Sequence, residues 1–215
     1  MKETVTILIK CGGSAAALTR TLESVFAQNT AFPYKVILYG GLSDAKVTEV
    51  LCHFRAMYPE QLNILSPADI SLSDDPDVPD EILSGRYIAE LSAGDVWLDP
   101  EKLQKQTAYL ENHPNCSFCF SNSYDTDIDG RFLRARQPAD KSRTFSAREL
   151  MYAEKSFYAA ASVLYRNDLY SVVYDPCAAG GGDFGDAPFK AYMACGAEVF
   201  GFSDFMVGSV IEGKE

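Results

Sequence analysis

Gly85-Arg86-Tyr87-Ile88-Ala89-Glu90-Leu91-Ser92-Ala93-Gly94-Asp95-Val96-Trp97-Leu98-Asp99-Pro100-Glu101-Lys102-Leu103-Gln104-Lys105-Gln106 decides how this chain reads. Tyr87 to Leu91 is an apolar, strand-like run that ends at Ser92-Ala93-Gly94. A short acidic turn at Asp95 follows, then the only Trp, and Pro100 opens a helix. A strand that passes through a polar turn into a helix is the unit of sheets with helical crossovers, and ligands of such sheets gather beyond the carboxyl ends of the strands.

The same grammar extends toward the amino terminus. Val5 to Lys10 is a β-branched run broken by Cys11-Gly12-Gly13-Ser14, and Leu18, Leu22, Val25 and Phe26 then recur at helical spacing with Ser14 as the cap. Val36 to Tyr39 is a second strand, stopped by Gly40-Gly41. Ser43 is expected to cap a helix whose Val47, Val50, Leu51 and Phe54 share one face, and Asn63 to Leu65 is a third strand. This βαβα order implies right-handed crossovers and a mostly parallel central sheet flanked by helices on both faces.

Toward the carboxyl terminus, Leu103, Tyr109 and Leu110 face inward from a helix that His113-Pro114 stops. Ser117 to Ser121 is the next strand, Asp127-Ile128-Asp129-Gly130-Arg131 has hairpin chemistry, and Ser146-Ala147-Arg148-Glu149 is a capping box. Ser162 to Arg166 is another strand, Gly180 to Gly182 a flexible loop, and Pro188 to Ala194 a helix. One domain over 1–215 is the economical reading, with a nucleotide-type half at 1–95 and an acceptor-type half at 96–215.

Composition narrows the partners. The chain has 215 residues, 47% of them hydrophobic and 23% charged, which suits a globular fold with a sizeable core. A formal charge of −11 argues against nucleic acid or an anionic bilayer, because phosphate arrays need clustered Lys and Arg. Met1-Lys2-Glu3-Thr4 leads directly into the first strand, and no apolar run approaches the ~20 residues of a membrane span, so a cytoplasmic protein is expected. The chain stops at Glu215 after one more strand-like stretch, which reads as a piece of something longer. The six cysteines are scattered, and Cys116-Ser117-Phe118-Cys119 falls in an alternating aromatic strand without the second pair that a zinc site needs. His53 and His113 read as surface or capping residues.

Four landmarks, in order, carry a resemblance. Thr21-Leu22-Glu23-Ser24-Val25-Phe26-Ala27-Gln28 looks like the first helix of the inverting, family 2 type of nucleotide-sugar glycosyltransferase. Trp97 through Gln106, preceded by Tyr87-Ile88-Ala89, resembles a variant of that family whose strand end reads E-G-D-D-Y-W. Ser162 to Arg166 is similar to its acceptor-side strand, and Gly185-Asp186-Ala187-Pro188-Phe189 to the G-D-x-P-L start of its base-bearing helix. The resemblance covers nearly the whole chain. It implies an α/β, Rossmann-like GT-A (nucleotide-diphospho-sugar transferase) fold. It also implies transfer of a sugar from a UDP- or GDP-type donor to a glycan or other acceptor hydroxyl, with inversion, in polysaccharide synthesis. Asp186 falls at the position of the general base, with Asp183 as the fallback, while a helix-start carboxylate explains Asp186 equally well.

The donor side departs from the family. The resemblance assigns Lys10, Tyr39, Gly40, Arg86, Ser92, Gly94 and Asp95 to the donor, but Tyr39 and Gly40 replace the usual paired Asp, and Ser92 and Gly94 replace the Asp/Glu-x-Asp metal ligands. The family's Mg²⁺ or Mn²⁺ thus lacks its carboxylates, since hard cations want carboxylate oxygens. Asp95 survives, and Glu90, on the same strand face as Ser92, either joins it at a metal or is satisfied by a basic neighbour. The loop from Asp69 to Glu81 carries six acidic residues, and two charges ~6 Å apart repel by ~3 kcal/mol at an effective dielectric near 20, so it either points away or needs a metal. Lys10 and Arg86 are the cations that would steady a diphosphate without one. The competing reading is a domain that kept the fold but lost donor chemistry and serves as a binding module in a larger polysaccharide-assembly protein. A different α/β nucleotide-binding class lacks support, because neither a Gly-rich dinucleotide fingerprint nor a P-loop is present.

Overall fold

The computed structural model describes residues 4–40, 44–65, 84–146, 149–150, 157–169 and 198–211. Strands β1 (Val5–Lys10), β2 (Tyr34–Tyr39), β3 (Leu62–Ile64) and β4 (Tyr87–Ser92) pair in parallel in the order β3-β2-β1-β4. Helices α1 (Ala15–Phe26) and α2 (Ala45–Met57) make the crossovers. Ser14 caps α1 as its position predicts, accepting from the amide of Ala17. Asp44, rather than Ser43, caps α2: its Oδ1 accepts from the amides of Lys46 and Val47. A carboxylate there also complements the positive end of the helix.

The second half mixes directions. β5 (Val96–Trp97), β6 (Cys116–Thr126), β7 (Phe132–Arg136), β8 (Arg143–Phe145), β9 (Leu164–Arg166) and β10 (Glu198–Val210) complete one sheet in the order β3-β2-β1-β4-β9-β6-β10-β5, with β7 on β6 and β8 on β10. β9 runs antiparallel to both β4 and β6, and β10 is parallel to β6 but antiparallel to β5 and β8. Among the described residues parallel pairing thus joins the first four strands and the β6–β10 pair, the other strand pairings are antiparallel, and the sheet is mixed.

The α-helices of the described residues lie on one face of the sheet. Residues of α1, α2 and α3 (Lys102–Asn112) all join the hydrophobic cluster on one face: Leu18, Leu22 and Val25, then Leu51 and Phe54, then Leu103 and Leu110. Successive right-handed crossovers that step in one direction put their helices on one side, which accounts for α1 and α2. Each such fully buried aliphatic side chain contributes about 1.5–3 kcal/mol. The opposite face carries Leu8, Ile37 and Ile88 and is covered, among the described residues, by aromatics including Phe120, Phe145, Phe157 and Tyr158. Gly201 admits those rings: a Cβ on it would lie 2.6 Å from Phe145 and 2.8 Å from Phe120. Among the described residues no helix is long and apolar enough to cross a membrane.

Candidate functional site at the carboxyl ends of the parallel strands

Register brings three of the expected donor residues into one row. Lys10, the last residue of β1, pairs with Tyr39 of β2 on one side and Ser92 of β4 on the other. Strand alternation turns all three toward the face of Leu8, Ile37 and Ile88, away from α1. Lys10 and Ser92 are exposed, Tyr39 is half-buried, and Lys10 makes no ion pair among the described residues. Gly40 follows with φ +71, a left-handed turn that lets the chain leave the strand directly beside Cys11. The Cys11 thiol is buried and pushed up to about 12, so it stays protonated and is no nucleophile.

Arg86 is not in this row. It precedes β4, whose six residues at about 3.3 Å each put it roughly 20 Å from Ser92. There it pairs with Glu111 of α3 at 2.8 Å. Sequence proximity to the turn is misleading because a strand separates its two ends in space.

Asp95 holds the turn together from inside. Its carboxylate is 6% exposed and accepts three hydrogen bonds: from the amide of Ser92 at 2.8 Å, the hydroxyl of Ser209 at 3.0 Å and the amide of Val210 at 2.9 Å. Burial pushes its carboxyl above the ordinary range, and the three donors pull against that shift. Gly94 is buried with φ +111, and its amide donates to Thr21 Oγ1 of α1 at 2.8 Å. A Cβ at this position would lie 2.8 Å from Val210 Cγ2 and 3.7 Å from Ile128 Cδ1. Apolar methyls therefore occupy the volume where a ligating side chain would start. Glu90 accepts a hydrogen bond from the phenol of Tyr165 on β9. These residues do not fit a divalent cation: Ser92 offers a hydroxyl, Gly94 nothing, and Asp95 is committed to protein donors. Among the described residues no group of three His, Cys, Asp or Glu side chains is placed to hold a metal.

Beside this turn lies a charged group that sequence reasoning missed. Asp125 of β6 is fully buried and faces two arginines of β7, with Arg134 Nε and Arg136 Nη2 each 2.7 Å from a carboxylate oxygen. The Arg136 contact is an ion pair without an aligned hydrogen bond, and Arg136 Nη1 also donates to the carbonyl of Tyr158. Ser209, which holds Asp95, is the register partner of Asp125. The signal was available: Arg134-x-Arg136 puts both side chains on one strand face, and the hairpin turn at 127–131 sets Asp125 opposite Arg134. Asp183, Asp186 and the acidic loop 69–81 lie outside the described residues.

No known family model matches this chain. It is 29% identical over 150 residues to the uncharacterized protein Rv1520 of Mycobacterium tuberculosis, covering 69% of this chain and 43% of that protein. It is 26% identical over 121 residues to the uncharacterized glycosyltransferase MJ1057 of Methanocaldococcus jannaschii, covering 56% and 41%. The chain thus spans less than half the length of these relatives. Among solved structures, Staphylococcus aureus TarS 1-349 in complex with UDP-GlcNAc superposes with a TM-score of 0.67 at 13% identity, over 99% of this chain and 60% of that one. The mannosyltransferase PcManGT from Pyrobaculum calidifontis, in complex with GDP-Man and Mn²⁺, gives 0.60 at 12% identity, over 100% and 59%. The fold is that of the GT-A glycosyltransferases. At such identities the likeness speaks for the scaffold, and chemistry has to be argued from the site.

Proposed function

We propose that this domain binds a nucleotide-diphosphate sugar across the carboxyl ends of β2, β1 and β4 and transfers the sugar to an acceptor hydroxyl with inversion, without a divalent cation. The observation that carries this reading is the row Tyr39–Lys10–Ser92, in which an exposed ammonium is flanked by a ring and a hydroxyl. The ring of Tyr39 offers a surface for the base. The Lys10 ammonium neutralises the diphosphate, and the Ser92 hydroxyl donates to it. The relatedness to a glycosyltransferase, and the UDP-, UDP-GlcNAc- and GDP-Man-bound states of proteins with this fold, support a nucleotide sugar as donor.

In the reaction the acceptor oxygen attacks the anomeric carbon, its proton passes to Asp186 (or Asp183), and the bond to the diphosphate breaks on the opposite side. The nucleoside diphosphate then leaves as the charged group that Lys10 holds. A glycan acceptor and a place in a larger polysaccharide-assembly protein follow from the same reading. The experiment is release of UDP or GDP from a panel of nucleotide sugars in EDTA, with and without oligosaccharide acceptors. Asp186→Asn is expected to slow release by about 10²–10⁴-fold, the usual worth of a general base. No release from any donor would leave the second reading, a binding module that lost donor chemistry. The packing of Val210 and Ile128 against Gly94 is what favours that alternative.

A further inference from the structure

On the face that carries the donor row, the change from apolar to polar side chains falls at the last residue of β1 and of β2: Leu8 gives way to Lys10, and Ile37 to Tyr39. On β4 the change comes one pleat earlier. Ile88 is followed on that face by Glu90 and then by Ser92. Register sets Glu90 beside Leu8 and diagonal to Lys10. The other residues of β4 before Ser92 are buried and uncharged, so a carboxylate at this place costs desolvation unless a donor engages it. Tyr165 of β9 is that donor. It is 1% exposed, packs in the same layer as Ile88, and its phenol donates to Glu90 Oε1. A phenol-to-carboxylate bond is charge-assisted and fixes the side chain in place.

Glu90 itself is half-buried, so the tethered carboxylate keeps an accessible part on the donor face, and a carboxylate accepts several donors at once. Across the sheet order β2-β1-β4-β9 the groups run ring, ammonium, hydroxyl with the carboxylate one pleat below it, and phenol. A nucleotide sugar with its base on Tyr39 and its diphosphate at Lys10 and Ser92 brings its sugar, the next group along the molecule, to the Glu90 side. There a second carboxylate ~6 Å away is repelled strongly enough at an effective dielectric near 20 to decide between donors, whereas a hydroxyl or an ammonium donates to Glu90. We infer that Glu90 selects the donor by the charge of its sugar, admitting neutral and amino sugars and barring acidic ones. This rests on the donor row proposed above. A pyranose is small enough that a carboxylate at any ring position feels the same field.

The test is competition binding in EDTA at low ionic strength with UDP-glucosamine, UDP-glucose and UDP-glucuronate, each affinity taken relative to that of UDP for the same variant. GDP-mannose and GDP-mannuronate, relative to GDP, form a second matched set. The wild-type chain is expected to bind each uronate donor about tenfold more weakly than its neutral counterpart, and the glucosamine donor more tightly than the glucose donor. Glu90→Gln keeps the shape and an acceptor for Tyr165, and in it the members of each set should fall within about twofold of one another. Glu90→Met removes the charge by a second route and should give the same collapse. If neither UDP nor GDP binds, the donor row fails and this inference falls with it. Nucleotide binding with no order among the sugars, or an order that survives in both variants, overturns the inference alone and leaves the row standing.

Discussion

Asp95 Oδ1 lies 2.9 Å from the amide nitrogen of Val210, tying the turn after β4 to the end of β10 across 115 residues of sequence. Two further donors, the Ser92 amide and the Ser209 hydroxyl, complete the clamp. Asp95→Ala strands all three in a nearly dry setting and is expected to cost about 3 kcal/mol, by analogy with buried groups that lose their partners. Asp95→Asn keeps one acceptor oxygen and should cost less. Urea denaturation checks both, with the midpoint falling and the slope unchanged.

Restoring a carboxylate at Gly94 should fail. Its φ of +111 strains any side chain, and the new Cβ would press on Val210 Cγ2 at 2.8 Å. Gly94→Asp is expected to destabilise by about 2–3 kcal/mol. Val210→Ala in the same chain should recover part of that loss. Thermal melts with and without Mn²⁺ read the outcome, and neither variant should gain a metal-dependent rise.

Two arginines share Asp125, but their worth differs. Arg136 has a side chain 14% exposed and Arg134 one 62% exposed. Removing Arg136 leaves much of a fully buried carboxylate uncompensated, so Arg136→Ala is expected to cost about 3 kcal/mol, whereas Arg134→Ala, at the solvent side, should cost under about 1 kcal/mol. Chemical denaturation of the two variants separates these values.

Lys102 gives the domain a pH dependence. It is fully buried, lies 4.4 Å from the Trp97 ring centroid and donates to Gln106 Oε1 at 2.7 Å, and burial pulls its ammonium down to about 7. An unfolded lysine titrates near 10.4, so between about pH 7 and 10 the unfolded chain binds a proton that the folded chain does not. Stability contributed at this site therefore rises with pH across that window and is lowest below it. Lys102→Met should flatten the rise and stabilise the protein at neutral pH by about 1–3 kcal/mol, as replacing a buried charge by an apolar side chain often does. Denaturation midpoints between pH 6 and 10 would check this, and a slope unchanged by the substitution would contradict it.

The first half of the fold was legible because its signals are local. Val5–Lys10 was bounded by residue type at both ends, Ser14 by its place before an apolar period, and the strand from Tyr87 to Leu91, one residue short of the observed end at Ser92, by Gly85 and the turn. The capping box at Ser146 and Glu149 was likewise readable, and reciprocal hydrogen bonds close it. β5, β8 and the antiparallel insertion of β9 were not legible, since strands of two or three residues carry no periodic signal and direction is set by distant partners. At the site, register is what separates the residues: it gathers Lys10, Tyr39 and Ser92 but strands Arg86 at the far end of β4. The plug at Gly94 was invisible, because Val210 reaches it from β10 and Ile128 from the turn between β6 and β7.

Calorimetric titration with UDP and GDP, once in EDTA and once with Mn²⁺, tests the metal-free donor row most directly. Saturable binding of at least one nucleotide is predicted in EDTA, within about twofold of its strength in Mn²⁺, and about tenfold weaker in Lys10→Ala, the worth of one exposed charge-assisted contact. Binding that appears only with Mn²⁺, or that Lys10→Ala leaves untouched, would contradict it.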